Sequence, residues 1–90
     1  MRRGRVIAKF RALSLARLFE LEKDLRERYP DRVEQVSLAV STLAHKLYYL
    51  NRNTVADYVY TVKSLSKTFP ELAELVPDAD TVKRLLGVEQ

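Results

Sequence analysis

Apolar and polar positions follow one another along this chain with the period of an α-helix. The most regular stripe lies in the middle, where apolar residues recur at spacings of three and four: Val33, Val36, Val40, Leu43, Leu47 and Leu50. Residues at these spacings share one helix face, so the stripe predicts a helix from Asp31 to Leu50 with one buried face. Leu43 and Leu47 are expected to be buried. A stripe this regular also suits close packing against an antiparallel helix or a second copy.

Two other segments show the same period. Residues 12–29 place apolar side chains on one helix face and alternating acids and bases on the opposite face. A third helix is predicted from Thr54 to about Thr68, with a stripe formed by Val55, Tyr58, Val62, Leu65 and Phe69. The stretch "RVIAKF", residues 5–10, is compatible with the first turns of a helix or with a short strand. A single strand has no partner within one chain, so we expect these residues to lead into the helix.

Pro30 and the residues after it separate the first two predicted helices. The residue before a proline avoids the helical region, so the first helix is expected to stop there. Asp31 then caps the next helix, with Glu34 three residues later in the position of a capping box. Asn51 or Asn53 is expected to cap the third helix.

The C-terminal segment predicts two short helices. Pro70 suits the first position of "PELAELV", where its missing N–H has no helical partner to lose. Asp78 or Asp80 is expected to cap "TVKRLL", and Gly87 is expected to end it. Together these patterns predict an all-α fold, a small bundle of four to five helices with no β-sheet.

Positive charge is concentrated at the N-terminus. The chain has 16 basic and 12 acidic residues, a net charge of +4. Residues 1–19 contain no acid and six of the basic residues, Arg2, Arg3, Arg5, Lys9, Arg11 and Arg17. We treat residues 1–11 as a basic arm ahead of a single helical domain, residues 12–90. Such an arm suits a polyanion, because each neutralised phosphate releases counterions. The alternative is a solubilising tail.

Length and composition narrow the class of protein. Ninety residues are enough for one hydrophobic core. The absence of cysteine excludes disulfides and thiolate metal sites, and no apolar run approaches the ~20 residues of a membrane-spanning helix. The N-terminus lacks the pattern of a signal peptide. We therefore expect a soluble cytoplasmic protein. Many charges with few asparagines and glutamines are typical of proteins from thermophiles.

Catalytic chemistry has little support in the sequence. His45 is the only histidine, and it has no cysteine or carboxylate at metal-ligand spacing. Two glycines cannot supply a phosphate-binding loop, and no serine has a recognisable general base. We expect no enzymatic activity, no metal, no cofactor and no small-molecule substrate.

The segment "STLAHKLYYLNRNTVADYVYTVKSL", residues 41–65, resembles a helix-turn-helix. Leu43 and Leu47 match the supporting helix, Leu50 matches the apolar residue of the turn, and residues 52–55 match the start of the helix that reads DNA. The resemblance implies a DNA-binding pair of helices without a wing.

Residues 53–65 are also similar to the start of a helix in the core-binding domain of tyrosine recombinases, a small helical bundle that clamps DNA. The similarity rests on "NTV" followed by Tyr58, Val62 and Leu65. It implies the holding of DNA alone, since no catalytic domain accompanies it.

The helix-turn-helix resemblance implies which side chains contact nucleic acid. Those expected to do so along this segment are Arg52, Asn53, Thr54, Asp57, Tyr60, Lys63 and Lys67. Arg52 and Asn53 suit base edges. Asp57 repels phosphate unless it accepts from a cytosine amine or pairs with Arg52 or Lys63. In the arm, the side chains expected to hold phosphates are Arg2, Arg3, Arg5, Lys9 and Arg11.

The sequence therefore predicts a small nucleic-acid-binding protein, with duplex DNA favoured over RNA. It would act as a transcription regulator or as an architectural or accessory factor of the nucleoid, with a homodimer as one form. The alternative is a helical accessory subunit that docks on a larger protein or on a second copy. Its docking surfaces would be the stripe of residues 33–50 and the apolar C-terminal side chains Leu72, Leu75, Val76, Leu85 and Leu86.

Overall fold

The computed structural model describes residues 2–87, with side chains from Arg5 onward. It contains four α-helices: α1 (Arg2–Arg28), α2 (Val33–Tyr48), α3 (Val55–Leu65) and α4 (Ala79–Leu86). Two 3₁₀ helices, Pro30–Arg32 and Pro70–Leu75, lie between them. These described residues contain no strand, so the predicted all-α fold is confirmed. Over the same range, no helix combines the length and the apolar composition that a membrane crossing requires.

Helices α1 and α2 form an antiparallel hairpin. Near the connection, the guanidinium of Arg26 donates to the hydroxyl of Ser37 at 2.8 Å. At the far end, Arg11 on α1 donates to the carbonyl of Leu47 in the last turn of α2. Because α2 ends beside residue 11, the first turns of α1 extend past it.

The chain then returns twice along the bundle. At its start, α3 lies beside the first part of α1, where the rings of Phe10 and Tyr58 are 6.1 Å apart. After α3, the ring of Phe69 lies 5.3 Å from that of Tyr29 at the other end of α1. The 3₁₀ helix Pro70–Leu75 runs back along α1, and α4 closes the bundle against α1 and α3. Except for the 3₁₀ helix Pro70–Leu75 and α4, neighbouring segments of the chain pack against each other, as in an up-and-down bundle.

One hydrophobic core joins all the helices. The completely buried side chains include Leu18, Leu43, Leu47, Val62 and Leu72, so the predicted burial of Leu43 and Leu47 is confirmed. Within the central stripe, Val36, Val40 and Leu50 are also buried, and Val33 is half-buried. The stripe is covered by the other helices of the same chain. The accessory-subunit hypothesis had assigned this surface to a partner.

Tyr58 is buried in this core and carries a polar hydroxyl group. Its hydroxyl donates to the carbonyl of Leu75 at 3.3 Å. Burial raises the pKa of Tyr58 to about 12, so the hydroxyl stays protonated and able to donate near neutral pH. The bond ties α3 to the end of the 3₁₀ helix Pro70–Leu75.

The N-terminal residues depart from the expected boundary between arm and helix at residue 11. Helix α1 begins at Arg2 and continues without a break through residue 12. Val6, Ile7 and Phe10 pack against the core. These contacts stabilise the first turns of α1. The pattern of residues 12–29 did not predict those turns.

The capping box predicted at Asp31 and Glu34 is wrong. Asp31 lies inside the 3₁₀ helix Pro30–Arg32, whose turn is closed by a bond from the Arg32 N–H to the Tyr29 carbonyl at 2.9 Å. This turn shifts the start of α2, so that Arg32 is the N-cap and makes no side-chain capping bond.

The asparagine cap predicted for α3 is also wrong. The N-cap is Thr54, without a side-chain capping bond. Asn51 instead accepts from the backbone N–H of Asn53 at 2.8 Å, so its side chain closes a turn within the connection.

The predicted ends of the last helix are confirmed. Asp78 is the N-cap of α4 and accepts from the backbone N–H of Thr81 at 2.7 Å. Gly87 ends the helix in the left-handed region with φ 74°, a conformation that glycine adopts without a Cβ penalty.

Candidate nucleic-acid interface

Charge is segregated along the long axis of the molecule, which measures 45 Å against 20 and 17 Å for the other two. One end, which we call the basic end, consists of residues 5–11 and 45–54, which the hydrogen bonds from Arg11 to the carbonyls of Leu47 and Leu50 hold together. These two segments contain no acid, and their basic residues are Arg5, Lys9, Arg11, Lys46 and Arg52. The antiparallel course of α1 and α2 brings them together although they lie far apart in the sequence.

The opposite part of the bundle, which we call the acid-rich end, consists of residues 17–34 and 70–74. Its acids outnumber its bases, and they are Glu20, Glu22, Asp24, Glu27, Asp31, Glu34, Glu71 and Glu74. Several bases at this end form ion pairs, such as Arg28 with Glu71 at 2.6 Å and Arg26 with Glu22 at 3.2 Å. The positive potential of the molecule is therefore directed toward the basic end.

Arg11 differs from the other arm residues predicted to hold phosphate. Its Nε donates to the carbonyl of Leu47 at 2.9 Å and its Nη2 to the carbonyl of Leu50 at 3.1 Å. Both carbonyls lie at the C-terminal end of α2, where carbonyls carry partial negative charge, and the Leu47 carbonyl also accepts from the Leu50 N–H at 3.2 Å. Arg11 was expected to be available to a partner. Its guanidinium is instead bonded to the end of α2 within the same chain.

Arg5 and Lys9 are exposed on the first turns of α1 and form no ion pair with a described residue. Arg2 and Arg3 begin the same helix, and their side chains lie outside the described part of the structure. The positive charge predicted for the arm is therefore carried on a helix that is fixed to the bundle.

The connection between α2 and α3, residues 49–54, lies at the basic end, beside residue 11 of α1. Arg52 and Asn53 are exposed there. The connection is held by its own hydrogen bonds, since the Thr54 hydroxyl accepts from the Asn51 N–H at 2.9 Å. Arg52 is thus presented on an ordered turn next to the first turn of α3.

Along α3 the observed faces match the expected ones. Val55 and Tyr58 are buried, and Tyr60 is 71% exposed. Lys63 and Lys67 are also exposed, but they follow α3 away from its N-terminus toward the acid-rich end. The structure therefore gathers Arg5, Lys9, Arg52 and Asn53 at one end and leaves Tyr60, Lys63 and Lys67 along the side.

Asp57 has a partner that the sequence did not indicate. Its carboxylate lies 2.6 Å from the ammonium of Lys46 on α2, whereas the alternatives considered from the sequence were a cytosine amine, Arg52 and Lys63. Lys46 is on the facing helix, and such a tertiary pair leaves no local spacing pattern. The pair neutralises the charge of one base of the basic end, Lys46.

His45 and Tyr49 form a second feature that sequence reasoning missed. Both are exposed, His45 in the last turn of α2 and Tyr49 directly after the helix, and their ring centroids are 4.9 Å apart. The described residues contain no cluster of histidine, cysteine and acids that would hold a metal ion. The spacing of four residues was the available signal for this contact.

The helix pair α2–α3 differs from a helix-turn-helix in its connection. Residues 49–54 make this connection longer than the three or four residues usual for that motif. The family resemblance therefore remains a prediction.

Comparison with known proteins gives no relative: the chain matches no protein-family model, no curated protein and no solved structure. Function must be argued from the residues themselves.

Proposed function

We propose that this protein binds nucleic acid, duplex DNA in particular, through the basic end of its bundle. The observation that carries the proposal is the segregation of charge, with no acid in residues 5–11 and 45–54. A surface of one sign on an elongated molecule attracts a polyanion from a distance and orients it on approach. Phosphate contacts of this kind give affinity without sequence preference.

The connection between α2 and α3 adds groups that suit base recognition. Arg52 offers a planar guanidinium that matches the acceptor pair of guanine, and Asn53 offers an amide that matches adenine. Both are exposed on the ordered turn before α3. Arg5 and Lys9 would hold phosphates beside them. This division supports a regulator or architectural factor that uses α1 for positioning and residues 52–53 for discrimination.

A binding titration at several salt concentrations tests the proposal. With a labelled duplex, the logarithm of the binding constant should fall linearly with the logarithm of salt, by about 0.9 per phosphate contacted. Arg52→Ala and Asn53→Ala should reduce discrimination between sites by ~1–3 kcal/mol per contact. Lys67→Ala should act equally on all sequences. A protein that fails to bind any duplex or single strand at low salt would exclude this function.

A second candidate, the accessory subunit, has support from one surface. A groove of about 350 Å³ lies between α3 and α4, lined by Val55, Ala56, Val59, Tyr60, Lys63, Val82 and Leu86. In contrast, Leu72, Leu75 and Leu85 of the docking surface predicted from the sequence are buried in the chain's own core. A partner would therefore use the groove, and its binding would change little with salt. Val59→Asp should abolish that binding and leave a nucleic-acid complex intact.

A further inference from the structure

A cleft of about 180 Å³ lies between the last turn of α2 and the first turn of α3. It is lined by His45, Lys46, Tyr49, Thr54 and Asp57. One wall is aromatic, since the Tyr49 ring is 68% exposed and packs against the His45 ring. The other wall is polar and contains the Asp57 carboxylate and the Thr54 hydroxyl. The cleft thus combines a stacking surface with hydrogen-bonding groups.

We infer that this cleft holds one unpaired nucleobase from a single-stranded segment of nucleic acid. The inference rests on the proposed nucleic-acid binding and specifies the form of the ligand. Every base has a π-face that stacks on an exposed aromatic side chain, and Tyr49 presents such a face beside the basic end. A base within a duplex is stacked on both sides and paired at its edge, so it does not enter a cleft of this kind.

Asp57 determines which bases the cleft prefers. One carboxylate oxygen, Oδ2, accepts from Lys46 at 2.6 Å, and Oδ1 accepts no hydrogen bond from a described residue. A carboxylate accepts from the exocyclic amine of cytosine and repels the carbonyl that thymine presents at the same position. The cleft should therefore prefer cytosine to thymine. An acid that weakens phosphate binding in a duplex interface has a favourable role here.

The surrounding charges suit the backbone of the same strand. Arg52 is exposed on the turn that leads to Thr54, and Lys46 neutralises part of the charge of Asp57. A strand whose base occupies the cleft passes over this turn, where a guanidinium can contact its phosphate. Single-stranded DNA and RNA share this chemistry.

Fluorescence anisotropy with matched probes tests the inference. The probes are oligo(dC), oligo(dT) and oligo(rC) of equal length, a blunt duplex, and that duplex with a dC overhang. The intact protein should bind the overhang duplex more tightly than the blunt one, and oligo(dC) more tightly than oligo(dT). The comparison of oligo(dC) with oligo(rC) shows whether DNA or RNA is the better source of the base.

Tyr49→Ala should weaken binding of oligo(dC) and of the overhang duplex by about 5- to 100-fold, with less than a twofold change on the blunt duplex. Tyr49→Phe should restore single-strand binding. Tyr48→Ala is the matched control, because Tyr48 is 60% exposed on the same turn but does not line the cleft. Asp57→Ala should bring the affinities for oligo(dC) and oligo(dT) together.

The outcomes separate this inference from the function on which it rests. Duplex binding with equal affinities of intact and Tyr49→Ala proteins for oligo(dC) would overturn the cleft assignment and keep nucleic-acid binding. An equal loss of affinity of the Tyr49→Ala protein for all probes would also overturn the cleft assignment and keep nucleic-acid binding. No binding to any probe at low salt would overturn both.

Discussion

The two ends of this bundle use their arginines in different ways. At the acid-rich end, Arg28 pairs with Glu71, and Arg17 donates to Glu74 at 2.9 Å, so both fix the 3₁₀ helix Pro70–Leu75 on α1. At the basic end, Arg11 binds carbonyls instead of a carboxylate, and Arg5 and Arg52 form no ion pair with a described residue. Lys46 pairs there with Asp57. A count of charges along the sequence does not separate these roles. The distinction depends on whether a carboxylate lies on the adjacent segment.

The largest expected effect tests whether the two ends share one core. Leu47 lies near the basic end and Leu25 near the acid-rich end, and both are completely buried. Leu47→Ala and Leu25→Ala should each lower the free energy of unfolding by ~2–5 kcal/mol, because each leaves a cavity in a packed interior. Chemical denaturation followed by circular dichroism measures both. A loss below 1 kcal/mol for Leu47→Ala alone would mean that the basic end is packed independently.

Sequence reasoning succeeded where a pattern is local. The stripe of residues 33–50 predicted α2 and the burial of Leu43 and Leu47, because a helix face depends only on spacing. Gly87 was identified as the end of the last helix, and Asp78 as one of two candidates for its cap beside Asp80, for a similar reason: each acts within one turn. The all-α class followed from these local patterns together.

It failed where a tertiary contact decides. The first turns of α1 are helical because Phe10 packs on Tyr58 across the bundle, which the sequence of residues 5–10 does not reveal. The same applies to Lys46, whose partner Asp57 lies on the next helix. The candidate cleft depends on that pair and on the close approach of Tyr49, so it became visible only with the folded chain.

Arg11 supplies the next largest effect. Its guanidinium bonds two carbonyls at the end of α2 from a half-buried position. Arg11→Ala should cost ~1–3 kcal/mol, since hydrogen bonds to charged groups are stronger than neutral ones and both carbonyls lose the guanidinium, although the Leu47 carbonyl keeps the Leu50 N–H. Lys9→Ala, on the same helix and exposed, is the control and should stay within ~0.5 kcal/mol of the parent. Equal stabilities of the two variants would show that the hydrogen bonds of Arg11 do not stabilise the fold and that its charge is as accessible as that of Lys9.

The ion pairs of the acid-rich end predict a smaller, pH-dependent effect. Burial opposes ionisation of Glu71, but hydrogen bonds from its own backbone, Arg28 and Tyr29 outweigh it, so its pKa lies below the ordinary 4.5. The hydrogen bond from Arg17 likewise lowers the pKa of Glu74. A carboxyl with a lower pKa in the folded state contributes stability that is complete above its unfolded pKa and is lost as pH falls through the folded value.

Thermal unfolding from pH 7 down to pH 3 measures this contribution. The melting temperature should begin to fall near pH 4.5 and continue to fall below it. The variant Glu71→Gln with Glu74→Gln should be less stable at pH 7 and should show a flatter pH profile. Exposed ion pairs contribute little, so the change should be smaller than that for Arg11→Ala. A profile identical to that of the parent would mean that these pairs do not stabilise the 3₁₀ helix.

The smallest effect on stability is expected for Arg5 and Lys9, whose substitution should change the binding of nucleic acid alone. Arg5 and Lys9 are exposed and form no ion pair with a described residue, so Arg5→Ala with Lys9→Ala should leave the unfolding free energy within ~0.5 kcal/mol of the parent. On a labelled duplex, the same variant should reduce the slope of log binding constant against log salt by about 1 per residue removed.

Lys23→Ala is the control, because Lys23 is an exposed base on the same helix at the acid-rich end. Equal slopes for the two variants would show that the potential of the whole surface, and not the basic end, governs any binding. A reduced slope for Arg5 and Lys9 alone would locate phosphate on the first turns of α1.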